Sequence, residues 1–328
     1  ISRRVARELQ PGYLLTGPAW KNRIGFSSSL ERFRSRSFSD PVDFTLPATP
    51  GIFNFAIEGR RARDLLQKYT APVVTGNGLT GKVTLRPPVS IDRLLMIERA
   101  DVKLRGGRDH LTGRVLINRL TRPDFIWTPY SDFVSALHQN TVAIGGSYTA
   151  SLRPSITNEA RLSFSRDNLG WNRPHPEIPT LSSGDGVMLP GSPAFYEYRN
   201  LNRSTELLDN VIWTQGRHLV TVGAGALFRA SDGYLTAGRD GQYLFSNIVS
   251  FALDRPSSLR ITLDRGALTN NSRVQLPQFD RSYRYPQSFA FVQDTWKVAT
   301  RLTLNLGLRY ELFGGPSNVG LTKDVLVQ

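Results

Sequence analysis

The sequence contains no cysteine, so it has no disulfide framework, thiolate metal site or cysteine redox pair. No run approaches the ~18 apolar residues of a membrane helix, which argues against a helical membrane protein and leaves a β-barrel open. The opening "ISRRVARELQ" has neither an initiating Met nor the apolar core of a secretory signal, so the chain reads as mature or as a piece. Negative charge is also short: 41 basic side chains meet 27 acidic ones, a formal balance of +14. Such a balance raises nucleic acid as a partner. The basic residues are scattered, however, without a basic helix, zinc finger or RNA-recognition signature, and no nucleic-acid partner is expected. Arginine, far commoner here than lysine, equally suits a polar barrel lumen, acidic lipid headgroups or anionic solutes, through forked hydrogen bonds.

Catalytic and metal-binding patterns are missing too. "GNGLTG" (76–81) has the spacing of a dinucleotide-binding loop, but that chemistry needs a helix directly afterwards. "KVTLRPPVS" follows instead, and Pro87–Pro88 stops a helix. His110, His138, His175 and His218 are dispersed singly, without metal-ligand spacing; His110 and His218 fall at expected turns, where a solvated surface position is expected. "ASDGYLTAGRDGQ" (230–242) holds two Asp-Gly pairs, which read as turns rather than as a calcium loop. No nucleophile elbow is present. The expectation is a protein that is not an enzyme and has no metal or cofactor.

What the sequence does have is alternation. From Leu302 to Leu312, leucine or tyrosine occupies every second position, with Thr303, Asn305, Gly307, Arg309 and Glu311 between. Side chains of a strand point alternately to opposite faces, so one face is apolar and the other polar. Eleven residues exceed the usual 5–6 of a soluble strand and match the ~9–11 that cross a bilayer. The pattern recurs at 141–152, 157–166 and 218–229, with further strands at 21–33, 98–104, 111–119, 205–213 and before Leu302. That is about nine strands.

The connections alternate as strictly. Residues 105–110, 153–156, 214–217 and 299–300 are tight turns, whereas 34–92, 120–140, 167–204 and 230–287 are long and rich in Pro, Gly, Ser and Arg. In an antiparallel meander this puts all short turns at one end and all long loops at the other, the asymmetry of outer-membrane barrels. Trp213 and Trp296 precede short turns, while Phe164, Phe228 and Tyr310 lie toward the long-loop ends, as two aromatic girdles would. Trp296 is out of step with Phe289 and Phe291, which a bulge near Gln293 would explain. Single-chain bacterial barrels have even strand counts, so nine strands imply part of a larger barrel. The expected fold is all-β: an antiparallel up-and-down transmembrane β-barrel segment with short periplasmic turns and long extracellular loops.

Longer stretches carry a family resemblance. "FAFVQDTWKVATRLTLNLGLRYELFGGPSN" closely resembles a barrel hairpin of Oar-like TonB-dependent outer-membrane receptors. "GPAWKNRIGFSSSLERFRSRSF" is similar to an early strand of that barrel, and "ARDLLQKYTAPV" to part of its first large loop. "RADVKLRGGRDHLTGRVLINR" and "DNVIWTQGRHLVTVGAGALFR" resemble later hairpins, in the same order. Ala224, Ala226 and the serine-rich first strand depart from the pattern.

The resemblance implies a receptor-transporter in the outer membrane of a Gram-negative bacterium, with a barrel of roughly 22 strands enclosing a plug. Residues 1–328 would be a partial barrel domain, lacking the plug and the remaining strands. Its partners would be outer-membrane lipid and lipopolysaccharide, its own plug domain, the inner-membrane TonB complex and an unknown solute bound at extracellular loops. Polar positions Arg99, Asp101, Arg114, Arg161, Asn305, Arg309 and Glu311 would face the lumen, where they bind one another, the plug or solute. Two other readings compete: a surface adhesin or secretion-linked barrel, and a soluble basic β-rich protein binding acidic polymers.

Overall fold

The computed structural model describes residues 7–72, 74–76, 78–123, 127–192, 198–235, 240–263, 277–321 and 323. One antiparallel sheet carries ten wall strands in chain order. They are β1 (Arg7–Leu9 and Gly12–Trp20), β2 (Ile24–Phe38), β3 (Pro88–Leu104), β4 (Asp109–Pro123) and β5 (Ala136–Arg153), then β6 (Ile156–Trp171), β7 (Tyr198–Gln215), β8 (His218–Leu235), β9 (Arg281–Ala299) and β10 (Leu302–Phe313). Each pairs only with its sequence neighbours, apart from the short segment Ser317–Asn318, which also pairs with β9. The sheet does not close: β1 and β10 form its two edges.

All nine expected strands are present, and β1 is an addition. Both of its segments pair with β2 on either side of Pro11, which has no N–H for the ladder. Its sequence, with Leu14 beside Leu15 and prolines at 11 and 18, hides the period of two. The strands also run longer than expected. Those from β2 to β9 have 15 to 19 residues, against the ~9–11 needed to cross a bilayer. The excess lies on the long-loop side, where both faces meet water and the apolar alternation stops while backbone pairing continues. Short turns (21–23, 105–108, 154–155, 216–217 and 300–301) all fall at one end of the sheet. Asn22 and Gly216 adopt the positive φ that such hairpins require.

Cross-strand partners share a face, so the register assigns every side chain. Leu304, Leu306, Leu308 and Tyr310 of β10 stand opposite Trp296, Asp294, Val292 and Ala290 of β9. That face continues through Val220, Val222 and Phe228 of β8, Trp213 and Leu207 of β7, and Leu162 and Phe164 of β6. The expected girdle residues therefore all lie on one face, here called outer. It is uncovered: Leu308 is 73% exposed and Tyr310 68%. An apolar surface running across the whole sheet is the contact surface of a bilayer-spanning wall, not of a chain dissolved in water. Its acidic exceptions are paired sideways. Ser28 donates to Glu98 (2.8 Å), Asn158 to Asp209 (2.7 Å), and His218 Nδ1 lies 2.7 Å from Asp294. His218 is thus not the free surface histidine expected; its ring also stacks on Trp296.

The parity of Trp296 resolves without a bulge near Gln293. The β9–β10 register is continuous from Gln287 to Lys297 and shifts only between Lys297 and Ala299. Phe289 and Phe291 lie on the opposite, inner face, facing Glu311 and Arg309. The first Asp-Gly pair is not a turn either: Asp232 and Gly233 sit within β8. Gly233 is required there because a Cβ would come 2.0 Å from the Arg199 carbonyl oxygen.

If the outer face meets lipid, a spin label at Leu306 is relaxed by oxygen and one at Asn305 by a water-soluble nickel chelate. Aqueous access at Leu306 would refute the assignment. Leu306→Arg should cost about 2–4 kcal/mol of folding stability in the bilayer.

Candidate functional site

The inner face concentrates opposite charges two residues apart on one strand, which places them side by side. On β3, Arg99 binds Asp101 with two 2.8 Å hydrogen bonds, and Thr112 of β4 adds a third at 2.7 Å. On β6, Arg161 donates to Glu159 (2.8 Å). On β10, Arg309 donates to Glu311 (2.5 Å). Six of the seven lumen candidates are engaged this way or, for Asn305, by Thr295 at 2.8 Å; Arg114 makes no such bond among the described residues.

The candidates form two groups rather than one site. Arg99, Arg114 and Arg161 line a cavity of about 390 Å³ with Thr112, Ser147, Glu159 and Glu206; Asp101 joins it through Arg99. In this cavity Arg114 is the cation without a side-chain partner among the described residues, whereas Glu206 interacts electrostatically with the Arg161 guanidinium. The second group lies across the sheet on β8–β10. Arg309 packs 4.1 Å from the Phe289 ring centroid and 5.9 Å from that of Phe291. Those rings stand opposite Gly225 and Gly223. A Cβ on Gly223 would sit 2.6 Å from Phe291, so the glycine is what lets the ring lie against the wall. The sequence signal for this arrangement, Gly-x-Gly beside Phe-x-Phe, is visible only once the register is known.

The long loops contain the chain's deep core. The loop 39–87 folds into a hairpin of Val42–Pro47 with Thr80–Leu85 and the helix α1 (Arg61–Lys68). Thr180–Ser183, from the loop 172–197, pairs in parallel with Gln242–Phe245, from the loop 236–280. The latter loop also carries the short helix α2 (Ile248–Ala252). Ile52, Ala62, Val187, Phe245 and Phe251 form one buried cluster, and Leu46, Tyr69, Tyr130, Phe133 and Ile178 another. These loops were expected to be long and weakly periodic; the structure packs them into a cap. Their short elements, each 2 to 8 residues, leave too little sequence for a period to show. "GNGLTG" enters the strand Thr80–Leu85, not a helix; its Asn77 lies outside the described residues. Residues 236–239 of the second Asp-Gly segment lie outside them too.

Polar ties join loop to loop. Asp254 accepts from the Ala62 N–H (3.0 Å), and buried Arg173 pairs with Asp240 (2.9 Å). Tyr130 donates to the Met188 carbonyl (3.1 Å); burial pushes its phenol well above the ordinary value. Asp185 accepts from Ser183 Oγ (2.5 Å), Val187 N–H (3.3 Å) and the Ile248 N–H at the start of α2 (2.9 Å). Burial raises the Asp185 pKa, but these hydrogen bonds outweigh it and hold the carboxyl below its usual range.

Between the loops lies a second cavity of about 390 Å³. Leu65, Leu181, Tyr243, Phe245 and Phe251 form its apolar lining, and Arg60, Arg61 and Asp254 contribute charge. Asp254 is occupied at the α1 N-terminus, whereas the guanidinium groups of Arg60 and Arg61 have no partner among the described residues. An apolar body with an anionic group fits that lining. No cluster of metal-ligating side chains occurs among the described residues.

Comparison with known proteins bears on the wall. The family model described as "Outer membrane beta barrel domain" matches residues 2–322. Among solved structures, the outer membrane transporter YddB from Escherichia coli aligns with a TM-score of 0.55 at 10% identity, over 95% of this chain. The chain spans 35% of the length of that transporter, and at this identity the likeness is one of fold. No curated protein matches in sequence.

Two outcomes are expected. Because the folded Asp185 pKa is depressed, its contribution is complete above the unfolded value near 3.8 and is lost as pH falls through the lower folded value. Hydrogen exchange at 243–256 should therefore rise on acidification below about pH 4, and Asp185→Asn should show the faster exchange at neutral pH already. Gly223→Ala should destabilise by about 1–3 kcal/mol in denaturant titrations; adding Phe291→Leu should recover part of the loss, and a lack of recovery would disprove the packing.

Proposed function

The chain belongs to the outer membrane β-barrel domain family, and we propose that it forms part of the wall of an Oar-like TonB-dependent receptor. In this reading residues 1–328 are a portion of a larger barrel. Its remaining strands meet β1 and β10, whose backbone groups cannot stay unpaired in a bilayer. The short turns are periplasmic and the long loops extracellular. The observation that carries a binding role is the cap cavity, assembled from three loops and holding two unpaired guanidinium groups above a polar inner wall.

Solute capture starts in that cavity. Tyr243, Phe245 and Phe251 hold the apolar body of the solute, while Arg60 and Arg61 hold its anionic group. The inner wall below offers charges that are already paired, such as Arg99 with Asp101 and Arg309 with Glu311. Paired charges resist trapping an anion and suit contact with a plug domain. Arg114 remains to bind the plug or passing solute. The inner-membrane TonB complex would supply the pull that moves the plug.

The test is solute depletion from a defined medium, measured by mass spectrometry for wild-type, deletion and TonB-deficient strains. Anionic amphipathic solutes should stay in the medium in both mutants, and an Arg60→Gln/Arg61→Gln strain should retain them too. Identical depletion in all strains would reject transport. Loss in the deletion strain alone, with TonB irrelevant, would retain a surface-binding barrel and reject the motor.

A further inference from the structure

The short turns share a chemistry that strand pairing does not require. Arg23 stands in the β1–β2 turn, Arg105 and Arg108 in the β3–β4 turn and Arg153 beside the β5–β6 turn. Arg217 and Arg301 occupy the last two turns. Lys21, Lys103 and Lys297 lie in or next to the same turns, and Asp109 is the single carboxylate in residues 21–23, 103–110, 153–155, 216–217 and 297–301. Nine cations against one anion leave +8 at this end of the sheet, more than half of the chain's +14.

The one carboxylate is already engaged, because Arg105 binds Asp109 at 2.5 and 2.7 Å. Arg23 lies 5.7 Å from the Trp20 ring centroid, and Arg217 donates to the Val298 carbonyl (3.0 Å). Those contacts aim each guanidinium without neutralising it. Arg108, Arg153 and Arg301 are exposed, and their side chains have no partner among the described residues.

The topology spaces these charges. Successive short turns are two strands, about 10 Å, apart, so the five turns form a row about 40 Å long. Cations held apart on paired hairpins do not all converge on one small ion. They suit an anion that is itself extended and repeats its charge along its length. Lys103 shares the inner face with Asp101, and Lys297 with Thr303 opposite it. Both point away from lipid, so the row opens beyond the end of the wall rather than sideways into headgroups.

We propose that the short-turn rim binds the carboxylate-bearing peptide stems of the cell-wall glycan. The inference rests on membership of the outer-membrane family, whose short turns face the periplasm, and is independent of the receptor reading. The glycan is an extended periplasmic polymer with carboxylates repeated along it. An arginine fork meets a carboxylate through two parallel hydrogen bonds. Each such pair is weak when exposed, but a row of turns meeting a row of stems binds by avidity.

The full-length protein, purified in a non-ionic detergent, is sedimented with insoluble cell-wall glycan freed of attached proteins, its stem carboxylates either free or amidated. The free-carboxylate glycan should hold the protein at least about tenfold more tightly than the amidated form, and the difference should shrink as salt rises. The variant R108Q/R153Q/R217Q/R301Q should lose that preference. The variant R32Q/R119Q/R166Q, altered on the outer face at the long-loop side, should keep it. Equal sedimentation of the unmodified protein with both glycans would overturn the proposal, whatever the variants do. Release by phosphatidylglycerol vesicles of equal anionic charge would also overturn it, because the rim would then serve inner-leaflet headgroups.

Discussion

A strand that crosses a bilayer must hand every backbone N–H and C=O to a neighbour, because no water is available to take them. That demand fixes the long paired ladders here, and each ladder fixes a register. Period-two facing then follows without further choice: once Leu306 stands opposite Asp294 and Val222 opposite Val292, every side chain between is assigned to lipid or lumen. A one-residue slip would put Arg309 and Glu311 into hydrocarbon and Leu308 into the lumen. The register is therefore held by the cost of the alternative rather than by a buried core.

The buried core is elsewhere. The most enclosed large side chains, Phe133 and Phe251 at 1% exposure, belong to the loop cap, and none of the largest fully enclosed apolar side chains lies in the bilayer-facing belt. The molecule thus uses two solvents and two ways of folding. The wall gains from lipid and needs backbone pairing. The cap stands in water and gains from apolar clusters, with Asp185 and Arg173 tying loop to loop. The proposed function divides along the same line, with recognition in the water-folded part and a wall with a polar lining in the lipid-folded part. A cap with its own core can keep Arg60 and Arg61 in place over an apolar lining, which a set of independent loops would not.

Legibility in the sequence followed this division. In the belt, lipid on one side and water on the other write the register into the residues, so β10 and the 157–166 part of β6 could be read directly. The side-by-side pairs Arg99–Asp101 and Arg309–Glu311 were equally visible, since residues two apart on a strand share a face. Above the belt both faces meet water, the pattern fades, and strands looked like loops. Phe289 and Phe291 misled because their apolarity points into the lumen, where Arg309 and two glycines receive them. The cap was invisible: its partners are far apart in sequence, as Ala62 is from Asp254, and no local period announces them. The cavity's lining is therefore a product of tertiary packing that composition could not reveal.

The excess of arginine illustrates why a composition is not yet a function. The +14 balance first suggests a polyanion such as nucleic acid, but the fold distributes the cations to three surroundings. Inside, three of them are cancelled by a carboxylate two residues away, as Arg161 is by Glu159. In the cap, Arg60 and Arg61 remain uncancelled at the mouth of an apolar cavity. On the outer rim, cancellation is partial and leaves Arg32, Arg119 and Arg166 free above a lipid-facing surface. The same side chain is a structural brace or an open donor for an anion according to what lies within a few ångströms of its guanidinium.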